Sequence, residues 1–405
     1  MKQDWEVRKL GDVCQFENGD RGTNYPSKSH RTVTGIPFIN AGHLTSNGLD
    51  LESMDYISRE RFNLLGSGKV QKDDILFCLR GSLGKFAKVQ EFSEGAIASS
   101  LVIVRPNQKI ISGFLMSYFE SQICADMIKD FGNGAAQPNL SAGSLKNFEI
   151  PLPPLPEQQR IVALLDEAFA AIAQAKANAE QNLKNAKELF ESYLRAVLSD
   201  KQWVRKTLND VCERVEYGSS TKSKEDGDIA VLRMGNIQNG RLNWDKLVYS
   251  NDINDNEKYL LKYNDVLFNR TNSPELVGKT AIYKGEMPAI FAGYLIRIHR
   301  NESLLDADYL NYYLNSEMAM EYGKTVVISS VNQANINGTK LKGYPIPCPP
   351  LKEQQEIVQK LDALSTETKQ LEAIYQQKIN DLDELKKSIL QKAFAGELNT
   401  TSVAA

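Results

Sequence analysis

A chain of 405 residues has room for two or three domains, and 42% hydrophobic with 24% charged residues is the composition of an ordinary soluble protein. A formal net charge of −3 argues against a free-standing nucleic-acid binder, and with no run of 18 apolar residues no membrane span is expected. Five scattered cysteines (Cys14, Cys78, Cys124, Cys212, Cys348) form no CxxC pair, and the opening MKQDWEVRKLGDV has no apolar signal-peptide core; both point to reduced thiols and the cytoplasm.

In chain order, residues 1–150 read as a mixed α/β globular domain. Short apolar or alternating runs bounded by Gly, Asn and Pro predict strands at IPFINAG (36–42), DILFCL (74–79) and AIASSLVIV (96–104), with a helix around 112–130. Residues 151–200 change character: a proline-led string, PLPPLPEQQRIV (151–162), precedes a stretch from which Gly and Pro disappear. There Ile161, Leu165, Ala168, Ile172, Ala175, Ala179, Asn182, Ala186, Leu189 and Tyr193 advance by alternate fours and threes, the seam of a coiled-coil helix. Residues 201–346 return to the α/β pattern, with strands at IAVLRMGNI (229–237), DVLFNR (265–270) and YLIRIHR (294–300) and a helix around 306–322. Residues 347–405 begin PCPPLKEQQEIV, identical to the first string at nine of twelve positions, and carry a second seam through Ile357, Leu361, Leu364, Thr368, Leu371, Tyr375, Lys378, Leu382, Leu385 and Ile389.

The repeat extends further. Trp5, Leu10, Asp12, Val13 and Cys14 match Trp203, Leu208, Asp210, Val211 and Cys212; KDDILF (72–77) resembles YNDVLF (263–268); AQPNLSAGSLKNFEIP (136–151) resembles NQANINGTKLKGYPIP (332–347). The ends of each half match well and the middles poorly. Two copies of one fold have kept their frame and diverged in their faces. The first seam is Ala-rich and the second Leu-rich, so the two helices, each about 60 Å long, are expected to pair as one antiparallel coiled coil separating two pseudo-repeated α/β domains.

Reactive constellations are few. Three histidines, His30, His43 and His299, show no metal-ligand spacing, and no GxGxxG follows a strand. SPELVGKT (273–280) approaches a phosphate-binding loop, but Ser273 replaces the first glycine and Pro274 removes a backbone donor where the cradle needs N–H groups. The other half has GSLGK (81–85) at the matching place, so a shared surface loop is expected there and no nucleotide pocket.

Polar, basic loops are the candidates for recognition, because Arg, Lys, Asn and Gln read base edges or grip phosphates. In the first half they contribute Arg21, Asn24, Lys28, Arg31, His43, Arg80, Ser82, Lys85, Gln137 and Asn139. In the second they contribute Lys222, Lys224, Arg233, Asn236, Arg241, Asn269, Arg270, Asn272, Lys279, Asn332, Gln333 and Asn335. Four pairings recur between the halves: Arg80 with Arg270, Lys85 with Lys279, Gln137 with Gln333 and Asn139 with Asn335.

The whole chain resembles the specificity subunits of type I restriction–modification systems, on the strength of KLGDVC after Trp5, RGSLGK, the AQPNLS…IPLPPLPEQQRIV run with its second copy, and the terminal ILQKAFAGEL (389–398). The resemblance implies two target recognition domains, 1–150 and 201–346, each reading half of a bipartite, non-palindromic sequence in double-stranded DNA. It implies that the proline-led helices space these domains and dock two methyltransferase subunits, with two restriction–translocase subunits joining for cleavage. The subunit itself is then not an enzyme and binds no cofactor: S-adenosylmethionine, ATP and Mg belong to its partners. The alternatives are a two-ended protein scaffold that reads no DNA and a fused nuclease or modification enzyme.

Overall fold

The computed structural model describes residues 4–45, 48–132, 139–273, 276–330 and 333–398. The chain divides into two compact units, residues 1–178 with 378–405, and residues 179–377. These cut across the segments drawn from sequence, because each globular part takes its share of both long helices, Leu155–Leu198 and Leu351–Ala395.

In the first unit an antiparallel four-stranded sheet runs in the order Phe86–Lys88, Ile75–Cys78, Leu101–Pro106, Cys14–Asn18. A second sheet orders Arg31–Thr32, Asp55–Ile57, Ile36–Ile39, Glu94–Ile97 and Lys69–Gln71, with one parallel pair between Ile36–Ile39 and Glu94–Ile97. The run 96–104 is thus two strands in different sheets, broken by a turn at Ser99–Ser100. The helix expected over 112–130 is also two, Ser112–Glu120 and Gln122–Phe131. Ser121 parts them: its hydroxyl donates to the Tyr118 carbonyl (2.7 Å) and caps the next helix at the Cys124 N–H. Glu6–Lys9 pairs with Glu149–Leu152, so the chain closes the domain just before the long helix begins.

The second unit repeats this frame. Cys212–Tyr217, Leu295–Arg300, Val266–Asn269 and Thr280–Ile282 are neighbours in its main sheet, and Arg205–Thr207 pairs with Pro345–Pro347. Ser316 divides Ala307–Leu314 from Glu317–Val326 as Ser121 does in the first unit. A small sheet of Thr271–Asn272, Gln333–Asn335 and Ile328–Ser330 is added beside the central strand.

Each core is closed by pieces of both long helices. In the first unit Ile161, Leu165, Ala168 and Ile172 join Ile389, Leu390, Ala393 and Phe394 around Phe114 and Tyr118, and the Phe114 and Phe394 rings lie 5.1 Å apart. In the second, Leu194 and Leu198 meet Ile357 and Leu361 beside Tyr309 and Tyr313. In both units an early stretch of one helix faces a late stretch of the other, so the pairing is antiparallel. Lys176 reinforces it in the first unit through Asp383 at 2.7 Å. The heptad seam is only partly used. Leu189, Leu371 and Leu385 are exposed, while Leu194, Ile379 and Leu390 are buried instead. A straight α-helix drifts about 20° per heptad against a 3.5-residue repeat, so over six heptads the buried stripe moves to the neighbouring residue.

Each main sheet carries a charge cluster, half-buried in the first unit and more deeply buried in the second. Arg105 donates to Asp74 (2.7 Å), Glu17 (2.6 Å) and the Lys69 carbonyl (2.8 Å). In the second unit Arg297 donates to Glu216 (2.6 Å), Asp265 (3.0 Å) and the Leu260 carbonyl (2.9 Å). Strand register makes Glu17 and Asp74 equivalent to Glu216 and Asp265. The arginines are not equivalent: Arg297 sits across from Glu216 where Ile103 sits across from Glu17, and the place of Arg105 is taken by His299. Burial pushes the Cys14, Cys124 and Cys212 thiols up to about 12, so they stay protonated packing groups.

Candidate nucleic-acid interface

The central strand of each main sheet delivers its last residues to a loop that returns through a Gly-Lys pair. In the first unit the Cys78 N–H donates to the Lys85 carbonyl (2.8 Å), the Gly84 N–H to the Cys78 carbonyl (3.1 Å) and the Leu79 N–H to Ser100 (2.8 Å). In the second the Asn269 N–H donates to Lys279 (2.8 Å), the Gly278 N–H to Asn269 (2.8 Å) and the Arg270 N–H to Tyr294 (3.1 Å). The two loops hang on the same backbone bonds although they differ in length.

These bonds fix which residues correspond. Lys85 answers to Lys279, as the sequence predicts. Asn139 answers to Asn335, because each pairs with the residue after next on its central strand: Arg80 with Asn139, and Thr271 with Asn335. The pairing of Arg80 with Arg270 is corrected. Arg80 corresponds to Thr271, and Arg270 corresponds to Leu79. Successive strand side chains point to opposite faces, so this one-residue difference places the two arginines differently. Arg80 is exposed, with its Nε donating to Asn139 Oδ1 at 3.2 Å. Arg270 is half-buried, its guanidinium 4.9 Å from the centre of the Tyr217 ring, with Nη1 donating to the Gly293 carbonyl at 3.3 Å. Its Nε is buried and meets no acceptor among the described residues. The Tyr217 ring is itself held, since its hydroxyl accepts the Gly338 N–H at 2.8 Å. Leu79, by contrast, is core.

Three candidates turn inward and leave the set of side chains free to reach a base. His43 is 4% exposed; its Nδ1 accepts the Asn40 N–H (3.1 Å) and its Nε2 faces the Asn40 amide (3.2 Å). Burial lowers its pKa, against the pull of nearby Asp55, and keeps the ring neutral. Asn236, 4% exposed, accepts the Arg233 N–H (2.9 Å) and donates to the Asn243 carbonyl (2.9 Å). Asn269, 1% exposed, donates to the Leu276 carbonyl at 3.2 Å. Each is spent on shaping its own loop. Arg31 is committed in part, 2.6 Å from Asp55.

The remainder stay at or near the surface. Arg21 reaches the Ser99 carbonyl (3.3 Å) and Asn24 the Leu64 carbonyl (3.2 Å), while Lys28, Ser82 and Lys85 are exposed. In the second unit Lys222, Lys224 and Arg241 are exposed, Lys279 and Asn272 half-buried, and Asn272 accepts the Ser273 N–H (2.9 Å). Asn335 donates to Thr271 Oγ1 at 2.8 Å. Gln137 and Asn332 lie outside the described residues, and Gln333 is described by its backbone strand alone.

Two further features were not read from sequence. Tyr217, the platform under Arg270, stands one residue before the GSSTKSK loop. An open cleft of about 550 Å³ is lined by Arg233, Met234, Gln238, Asn243, Asp245 and Lys246. Its residues come from two segments joined by the Asn239–Gly240 turn, both positions at positive φ (51° and 74°) as an Asn-Gly hairpin requires. Across the cleft Arg233 donates to the Lys246 carbonyl at 3.0 Å. Among the described residues no group of His, Cys, Asp and Glu is arranged to hold a metal ion, and no helix is long and apolar enough to cross a membrane.

Residues 2–184 and 200–381 match the family model of the type I restriction modification DNA specificity domain. The specificity subunit of the EcoKI type I restriction enzyme of Escherichia coli (strain K12) is 26% identical, the match covering 98% of this chain and 90% of that protein. The StySPI specificity subunit of Salmonella potsdam is also 26% identical over 98% of this chain and 90% of its own. In fold, the HsdS subunit of Thermoanaerobacter tengcongensis superimposes with a TM-score of 0.65 at 20% identity, covering 98% of both chains. With the specificity-domain match falling once on each half and two equivalent frames carrying different side chains, the chain belongs to the specificity subunits of type I restriction–modification systems and has two target recognition domains.

Proposed function

We infer that the two recognition domains read unlike half-sites, so that the target is bipartite and non-palindromic. One observation carries this reading: the same backbone bonds present Leu79 and Arg80 in the first domain but Arg270 and Thr271 in the second. A shared frame with different chemistry at its tip is what reading two sequences with one fold requires. The subunit is non-catalytic and works in the cytoplasm, bound to two methyltransferase subunits that modify adenine and, for cleavage, to two restriction–translocase subunits. S-adenosylmethionine, ATP and Mg are used by those partners. A near-neutral chain fits this arrangement, because most of the phosphate contact is then made by other subunits.

Disrupting the gene and mapping adenine methylation across the genome tests it. Loss of one bipartite motif with unlike halves is expected; persistence of every such motif, with no second specificity gene to account for it, overturns the reading. Within the complex, Arg270→Lys keeps the charge but loses the stacked, two-pronged guanidinium. It is expected to relax base preference in one half-site by about 10–100-fold and leave the other half-site unchanged. Equal losses at both halves would remove Arg270 from base reading.

A further inference from the structure

The repeated PxPPLxEQQ string holds two glutamines in each copy, and the structure uses them differently. Gln158 and Gln354 are 0% exposed, whereas Gln159 and Gln355 face solvent. Gln158 Oε1 accepts the Ile111 N–H (3.0 Å), and its Nε2 donates to the carbonyls of Lys109 (2.9 Å) and Pro153 (2.9 Å). Gln354 repeats the pattern: Oε1 accepts the Asp306 N–H (2.8 Å), and Nε2 donates to Leu304 (2.8 Å) and Pro349 (2.8 Å). Ile111 and Asp306 are the N-cap residues of the helices Ser112–Glu120 and Ala307–Leu314. The amide therefore ties the first turn of the long helix to the turn that leaves the main-sheet strand Leu101–Pro106, or Leu295–Arg300.

The proline-rich lead-in supplies acceptors to this arrangement. Pro153 and Pro349 offer a carbonyl to the amide, and Pro154 and Pro350 accept the N–H groups of the helix's first turn. Elsewhere the long helices meet their domains mainly through apolar contacts, which are non-directional and tolerate small rotations, and through side-chain pairs that lie at the surface, Arg195 with Glu317, Tyr312 with Asp362 and Lys386 with Glu120. A buried amide with three directed bonds tolerates much less, because hydrogen bonds weaken steeply with misalignment.

We propose that Gln158 and Gln354 are positioning residues for target spacing. Each fixes the rotation of its recognition domain about its own stretch of long helix, and with it the phase at which that domain meets its half-site. This rests on the two-half-site reading above. One base pair moves a half-site by about 3.4 Å and turns it by roughly 35°, so a domain free to swivel accepts neighbouring spacings.

The test uses the full chain assembled with its methyltransferase subunits. Duplexes carry both native half-sites at the native spacing or at one base pair fewer or more, and initial methylation rates are compared. Gln158→Met and Gln354→Met keep side-chain length and remove every bond of the amide. For each, the ratio of native-spacing to altered-spacing rates is expected to fall about tenfold, the size of one lost net hydrogen bond, while rejection of a single-base change inside either half-site persists. Gln159→Met, equally repeated but exposed, should leave the ratio unchanged. An unchanged ratio in Q158M and Q354M, or a fall matched by equal loss of half-site rejection, overturns the proposal. If Q158M does not fold, Ile111→Pro decides by the same ratio: it removes the N–H that Gln158 accepts, at a backbone φ of −87° just beyond the usual proline range. Ile111→Ala, which trims the packed side chain and keeps the N–H, is its control and should leave the ratio unchanged. If the wild-type complex methylates no bipartite target, the two-half-site reading fails and not the role of the glutamines.

Discussion

Glu216 and Asp265 are held by a guanidinium that enters from a different strand position than the one holding Glu17 and Asp74. Arg297→Ile should therefore unfold the second domain more readily, by about 3–5 kcal/mol, since two carboxylates lose a buried partner. Adding His299→Arg places a guanidinium where Arg105 stands in the first domain, and most of the loss should return in denaturant titration. The same clusters set the acid response. Burial alone would raise the pKa values of Glu17 and Glu216, but Arg105 together with the Lys69 and Gly68 N–H groups, and Arg297 together with His299, outweigh it and lower them. A carboxylate depressed in the folded state stabilises it above the unfolded pKa of about 4.3, and that contribution disappears as pH falls further. His43 is also lowered, so its neutral form favours folding and stability is lost as pH drops below about 6.5. Thermal midpoints from pH 8 to 4 should fall in two stages, and His43→Gln should remove the upper one. None of this was legible in sequence. The strands are short and not strictly alternating, so His43, Asn236 and Asn269 looked like loop donors when they are loop struts.

At the scale of elements, the long helices were the most legible part and still misled in detail. Their extent and antiparallel pairing follow from the seam and from Pro-led starts, but the buried stripe slips as the heptads accumulate. Leu361→Asp, at a fully buried position, should lower the thermal midpoint sharply, by an equivalent of about 3–5 kcal/mol. Leu371→Asp occupies an equally good heptad position but is 38% exposed, and should cost about 1 kcal/mol or less. The motif that named the repeat was visible from the start, yet which of its glutamines matters was not. Only the fold shows that the first faces the domain and the second faces water.

For the whole molecule, the consequence lies in time. The first unit's core needs Ile389, Leu390, Ala393 and Phe394 from the far end of the chain, whereas the second unit is built from one continuous stretch, 179–377. The antiparallel pairing expected from the two seams brings the far-end residues near the first domain, but nothing in a heptad pattern shows that they complete its core around Phe114 and Tyr118. A chain ending after residue 377 should expose the apolar surface around Phe114 and Tyr118, bind a hydrophobic dye, and lose it when a peptide spanning 378–398 is added. During synthesis at 5–20 residues per second, the ribosome adds that far end roughly 10–40 s after the first unit's own helix segment. The part of the protein made first is thus finished last, and through that interval a nascent chain carries an open half-core that a chaperone, or a second nascent copy, can occupy.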